Sequence, residues 1–168
     1  PARAGESHGT TQVGQLVRLV DDLMEVSRIS TGRIHLHLEG IDMGDIVTRA
    51  IETTKMQAGQ KGQSVAKSLP AQPVWIHGDG MRLEQAVVNL LSNASKYTDR
   101  GGHVWIGLAE EEDKAVLRVR DNGIGIEPDM LPRIFELFTQ GDKSLDRSQG
   151  GLGIGLALVQ SMVLLHQG

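Results

Sequence analysis

Residues 83–98 read LEQAVVNLLSNASKYT, and this stretch decides how the rest of the chain is read. Wound as a helix, it places Leu83, Val87, Leu90 and Ala94 on one apolar face. Asn89, Asn93 and Lys96 fall within about 60° of one another, on a polar stripe that borders that face rather than opposing it. Two amides and an ammonium then stand at the edge of a core, where a ligand can lie between helix and sheet. An amide oxygen suits Mg²⁺, and a lysine suits phosphate. The same stripe also fits an ordinary solvated helix face. Asp79 is placed to cap this helix, which the pattern runs from about Gly80 to Tyr97.

Outward from this helix, short strands alternate with helices. Asp42 caps a helix over residues 43–58 that buries Ile46, Val47, Ala50 and Ile51. Alternation or apolar runs predict strands at residues 33–38, 64–69, 74–77, 103–110 and 115–121, the last two joined as a hairpin. Residues 128–138 suggest one or two helical turns, and a final helix starts near Gly153 and ends near Leu165. Toward the N-terminus, Val13, Leu16, Val17, Val20, Leu23 and Met24 repeat at three and four over residues 10–29, which predicts a helix. An isolated helix of that length is marginal in water, so it is expected to pack on its own domain or on another chain. Helices separated by paired strands predict an α/β (α+β) two-layer sandwich rather than a doubly wound parallel sheet.

Composition bounds the function. The chain has 168 residues, of which 39% are hydrophobic and 23% charged, enough for a core. With two Trp, one Tyr and two Phe, that core is aliphatic. The absence of Cys excludes thiolate chemistry and cysteine-held metal centres. A net charge of −4 argues against sequence-independent nucleic-acid binding, which needs a positive face. No apolar run approaches the roughly 20 residues that cross a bilayer, and the first residues show no signal-peptide pattern.

Three further stretches carry chemistry. DNGIGI, residues 121–126, follows a strand. Asp121 can accept hydrogen bonds such as those of an adenine amino group, and Gly123 and Gly125 permit positive φ and close approach of a flat ligand. Asn-Gly is equally a common turn pair. GGLGIGL, residues 150–156, opens the last helix and offers backbone N–H groups to an anion. It is neither a Walker loop nor a Rossmann fingerprint, and close packing of helix on sheet also wants glycine. Between them lies IFELF, residues 134–138, and then a polar loop with Lys143, Arg147 and Gln149. That loop fits a lid closing over phosphates, or a plain surface loop.

In this order the four stretches resemble the ATP-binding catalytic domain of sensor histidine kinases, within the gyrase, heat-shock chaperone, histidine kinase and mismatch-repair ATPase superfamily. NLLSNASKYT resembles its N box, DNGIGI its first glycine box, IFELF its F box and GGLGIGLAL its second glycine box. The resemblance spans residues 34–168 and implies a sandwich with ATP held between helices and a mixed sheet under a lid. It implies that Asn93 binds Mg²⁺, that Asn89 supports the metal and phosphates, and that Lys96 approaches the phosphates. It implies that Asp121 accepts from the adenine amino group, that Gly123 and Gly125 shape the base pocket, and that Gly151, Gly153 and Gly155 admit the phosphates. For Tyr97 a place beside the nucleotide and core packing are equal readings. Arg147 is the lid candidate for the γ-phosphate. Hydrolytic relatives carry a Glu where this chain has Asn89, and an amide is a poor proton acceptor, so transfer is favoured over hydrolysis.

Residues 1–30 resemble the second helix of the kinase dimerisation hairpin, and residues 31–168 the catalytic domain. None of the six His is followed by Glu or Asp, as the family's phosphoacceptor is, so that histidine is expected on a separate segment. The family's closing strands are also expected beyond Gly168, which makes the chain a fragment. The implied function is transfer of the γ-phosphoryl group of ATP to a histidine of a dimerisation domain, from which a response regulator takes it. The expected setting is the cytoplasm, with the whole protein free to be membrane-anchored and to dimerise through the N-terminal helix. The alternatives are a nucleotide-binding scaffold without transfer and a hydrolytic ATPase.

Overall fold

Two aspartates start two 18-residue helices. The Asp42 carboxylate accepts from the Gly44 N–H at 2.9 Å and opens α1, Met43–Gln60. The Asp79 carboxylate accepts from the Arg82 N–H at 3.2 Å and opens α2, Gly80–Tyr97. Each satisfies an amide the helix cannot pair internally. The computed structural model describes Met24, residues 35–140 and residues 152–168. Around the two helices run β1 (Glu39–Asp42), β2 (Ser64–Ser68), β3 (Trp75–Gly78), β4 (His103–Glu111) and β5 (Lys114–Asp121). A 3₁₀ turn at Leu131–Arg133 and a last helix, α3 (Gly155–Leu165), follow.

The strands form a mixed three-stranded sheet in the order β2-β4-β5 and a separate antiparallel pair, β1-β3. β2 runs parallel to β4, with Val65 opposite Val104, and β4 and β5 form an antiparallel hairpin in which Val104 faces Asp121. The hairpin turn holds Glu112 and Asp113 at φ of 48° and 62°. Along β4, Val104, Ile106 and Leu108 are buried and His103 and Trp105 are exposed, the period-two signature of a sheet covered on one face. The covering layer is α1 and α2, whose Ile46, Val47, Ala50, Leu83, Val87 and Leu91 join those valine and leucine side chains in one aliphatic core. α3 adds a second cluster, packing Ile154, Leu158, Val159 and Met162 against Ala86 and Leu90 of α2. The result is the expected α+β two-layer sandwich.

The strand expected at residues 33–38 is absent over the described part of it: residues 35–38 are irregular and β1 begins at Glu39. Backbone pairing competes with side-chain alternation here. The His37 N–H donates to the Asp79 carboxylate at 3.0 Å, while the ladder to β3 forms only where Ile41 lies opposite Ile76. Leu38, placed on the inner side by the alternation, is 48% exposed. Ile51 and Leu90 are half-buried at the edges of their clusters. α3 starts two residues later than expected because Gly153 sits at φ 72°, outside helical geometry. The expected N-terminal helix lies outside the described residues apart from Met24, which is helical and 52% exposed.

Candidate nucleotide site on helix α2

The C-terminal half of α2 is the floor on which the other motifs converge. Asn89 and Asn93, one helical turn apart, are both half-buried, as is Lys96. The Asn89 Nδ2 lies 3.5 Å from the Gly155 carbonyl oxygen, so the first residue of α3 rests on α2 at the amide stripe. A Cβ added to Gly155 would sit 3.8 Å from Asn89 Cγ and 3.9 Å from Asn93 Nδ2, filling the space between the two amides and the start of α3. Lys96 turns toward its neighbour: its Nζ lies 3.1 Å from the Tyr97 hydroxyl and 4.7 Å from the ring centroid. Tyr97 is 37% exposed and so is not packed in the core.

The loop after β5 is fastened to the end of α2 through backbone. The Ile124 N–H donates to the Tyr97 carbonyl at 3.1 Å. A Cβ at Gly123 would lie 2.2 Å from that same oxygen, so the glycine is required for the approach of loop to helix. Gly125, at φ 71°, needs glycine for the complementary reason, since the conformation disfavours a side chain although space is open. Asp121 is exposed at the strand end, and its Oδ1 accepts from the Gly123 N–H at 2.9 Å. Asn122 closes the strand pair, accepting from the His103 N–H at 2.7 Å.

The two ends of the glycine-rich crossing meet as well. The Phe138 N–H donates to the Gly153 carbonyl at 3.1 Å, and a Cβ at Gly153 would fall 2.6 Å from the Thr139 carbonyl oxygen. Arg147, Lys143, Gln149 and Gly151 lie outside the described residues. Ile124, Ile126, Leu131, Phe135 and Phe138 are exposed around this crossing, 40–61% of each side chain facing outward.

Two residues absent from the sequence reading, and one histidine left there without a role, tie the ends of α2 to the rest of the fold. Lys61 Nζ donates to the carbonyls of Ser95 (2.8 Å), Lys96 (2.9 Å) and Thr98 (3.3 Å). Gln63 donates to Ser95 and Thr98 at 2.9 and 2.7 Å and accepts from the Ser95 hydroxyl at 2.6 Å. These donors satisfy the orphan carbonyls at the end of α2, and the lysine charge complements the negative end of the helix dipole. The third is His166, at the far end of α3. Lysine after a helix of its own gives no local signal for capping a different helix, 34 residues away.

At the outer end of the hairpin, the Arg118 guanidinium bonds both Glu111 oxygens at 2.6 and 2.7 Å and holds that carboxyl below its ordinary range. A cleft of about 710 Å³ lies at the other end of α2, lined by Ile41, Arg49, Trp75, Met81, Glu84 and Val88. Its Arg49 and Glu84 pair with each other at 2.7 Å; it borders the first half of α2 at Glu84, Gln85 and Val88, and none of Asn89, Asn93, Lys96, Tyr97 or Asp121 lines it. Among the described residues no cluster of three His, Cys, Asp or Glu side chains could hold a metal. The amide pair fits a magnesium ion that takes most of its oxygens from a bound polyphosphate and water and few from protein.

The family model for histidine kinase-, DNA gyrase B- and HSP90-like ATPases matches residues 78–168, which hold α2, the two glycine stretches and α3. The chain belongs to this ATPase family. Similar curated proteins include sensor histidine kinases: TrcS of Mycobacterium tuberculosis is 38% identical over 164 residues, covering 94% of this chain and 31% of TrcS. WalK of Bacillus subtilis is 32% identical over 156 residues, 92% of this chain and 25% of WalK. The chain thus spans about a third or less of these relatives. Among solved structures, full-length ShkA in complex with AMPPNP superposes with a TM-score of 0.80 at 29% identity, over 97% of this chain and 34% of ShkA. The mycobacterial sensor kinase MprB superposes at 0.67 with 30% identity, over 77% of this chain and 80% of that one. The ATPase-family assignment and the geometry meet on the same helix.

Proposed function

We propose that residues 31–168 form the ATP-binding catalytic domain of a sensor histidine kinase, which donates the γ-phosphoryl group of ATP to a histidine. One observation carries this reading: the start of α3 and the DNGIGI loop are both held against the C-terminal half of α2 by direct contacts, Gly155 on Asn89 and Asn93 and Gly123 on Tyr97. Asp121 supplies a strand-end carboxylate for the purine amino group, Gly123 and Gly125 shape its pocket, and Tyr97 flanks it. Asn89 and Lys96 face the phosphates, Gly153 and Gly155 present backbone N–H groups at the start of α3, and the family resemblance gives Gly151 the same role. Asn93 is the protein ligand for Mg²⁺, with Asn89 beside it. When bound, the ion neutralises charge on the β- and γ-phosphates. Arg147 is the lid cation for the γ-phosphate.

In the transfer, an imidazole nitrogen attacks the γ-phosphorus, the bond to the β,γ-bridging oxygen breaks, and ADP leaves. The protein's part is positioning and charge stabilisation rather than covalent chemistry. The acceptor histidine belongs to a dimerisation domain, a response regulator takes the phosphoryl group onward, and residues 1–30 supply part of that domain and a dimer contact. The setting is cytoplasmic, and no helix among the described residues is long and apolar enough to cross a membrane. Incubation of the chain with γ-labelled ATP and a histidine-bearing dimerisation hairpin tests the reading. Label on the hairpin supports it. Binding without label favours a scaffold, and phosphate release without an acceptor favours a hydrolase.

A further inference from the structure

α3 runs antiparallel to α2 and is tied to it at both ends. Its first residue, Gly155, meets Asn89, and the residue after its last turn, His166, meets Asp79 at the start of α2. The spans match: the 11 residues of α3 rise about 16 Å, and the ten steps from Asp79 to Asn89 rise about 15 Å. Between the ties the interface is apolar, Ile154, Leu158, Val159 and Met162 on Ala86 and Leu90. Apolar contact is non-directional and resists axial sliding weakly. A hydrogen bond at the end of the helix fixes the position along the axis.

The chemistry of that bond is determined. The Asp79 backbone N–H donates to His166 Nε2 at 2.9 Å, so Nε2 carries a lone pair. The proton of the neutral ring is then on Nδ1, which donates to the Met162 carbonyl at 2.7 Å and orients the ring. Asp79 is itself a junction, its carboxylate accepting from the Arg82 and His37 N–H groups. The ring lies against the backbone of Gly78, where an added Cβ would come 3.1 Å from its Cδ2.

We propose that His166 is a positioning residue: as the Nδ1–H tautomer it sets the register of α3 along α2 and so places Gly155 against Asn89 and Asn93. This rests on the reading of those amides as the nucleotide site.

The test uses the 168-residue chain and two variants. His166→Gln keeps an acceptor within reach of the Asp79 N–H, and His166→Met keeps comparable volume without a comparable acceptor. Nitrogen-15 spectra without nucleotide are expected to show His166 as the Nδ1–H tautomer. The Gly155 and Asn93 amide signals should move in the Met variant and return toward wild type in the Gln variant. Calorimetric titration with ATP and Mg²⁺ should then show at least tenfold weaker binding for His166→Met and a change within threefold for His166→Gln. An Nε2–H tautomer, an unmoved Gly155 in the folded Met variant, Met-variant binding within threefold of wild type, or a Gln variant displaced as far as the Met variant would each overturn the proposal. If the Met variant does not fold, the wild-type tautomer and the Gly155 signal of the Gln variant decide it. If the wild type binds no ATP, the nucleotide reading fails, while the spectra still judge the register role.

Discussion

Replacing Gly123 by alanine tests how the first glycine loop is held. The added Cβ would lie 2.2 Å from the Tyr97 carbonyl oxygen, 2.7 Å from its carbon and 2.9 Å from Asp121 Oδ1. Carbon and oxygen ordinarily approach to about 3.3–3.6 Å. The loop must therefore retreat by about 1 Å, because its obstacle is helix backbone and no rotamer change relieves it. Gly123 is not in the left-handed region, so the effect is contact alone. The retreat weakens the Ile124 N–H bond to Tyr97, about 1 kcal/mol, and overpacking of this kind costs about 1–3 kcal/mol. Urea unfolding should show a loss of about 2 kcal/mol. ATP affinity measured by calorimetry should fall by about 100-fold if a misplacement of about 1 Å acts on binding as it does on catalytic geometry. The reasoning is refuted if Gly123→Ala is within 0.5 kcal/mol of wild type and binds ATP within about twofold.

Other perturbations follow from the same contacts. Lys61→Met removes three donors from the end of α2 and should cost about 2–3 kcal/mol in urea unfolding, with a change under 0.5 kcal/mol contradicting the clamp. Thr98 is buried with an unpartnered hydroxyl, so Thr98→Val should be as stable as wild type or up to about 1 kcal/mol more, and a clear loss in thermal unfolding would reveal a partner. The hairpin turn carries Glu112 and Asp113 at positive φ, and the pair Glu112→Asn and Asp113→Gly should raise stability by about 1 kcal/mol; unchanged unfolding would refute the turn geometry.

Much of the fold was legible because the helices announce themselves. Asp42 and Asp79 stand where caps are needed, and the apolar periods of both helices match the buried residues found except at half-buried Ile51 and Leu90. The sheet was legible where one face is buried, as along Val104, Ile106 and Leu108. It failed at residues 35–38, whose alternation has no neighbouring strand to pair with, because pairing is a tertiary property that period alone does not encode. The site motifs were legible as residue types, and the structure brings Gly155 to Asn89 and Asn93 and Gly123 to Tyr97, all on α2. The reason for each glycine was less visible: Gly123 makes room for a helix carbonyl and Gly153 for the Thr139 carbonyl. Lys61, Gln63 and His166 were illegible because each acts on a helix distant in sequence.

The central claim is that nucleotide binds on the C-terminal half of α2, and amide shift mapping of the nitrogen-15-labelled chain during titration with ATP and Mg²⁺ tests it most directly. The account predicts the largest changes at Asn89, Asn93, Gly123, Gly125 and Gly155. Changes centred instead on the cleft of Ile41, Trp75 and Glu84, or no changes at saturating nucleotide, would contradict it.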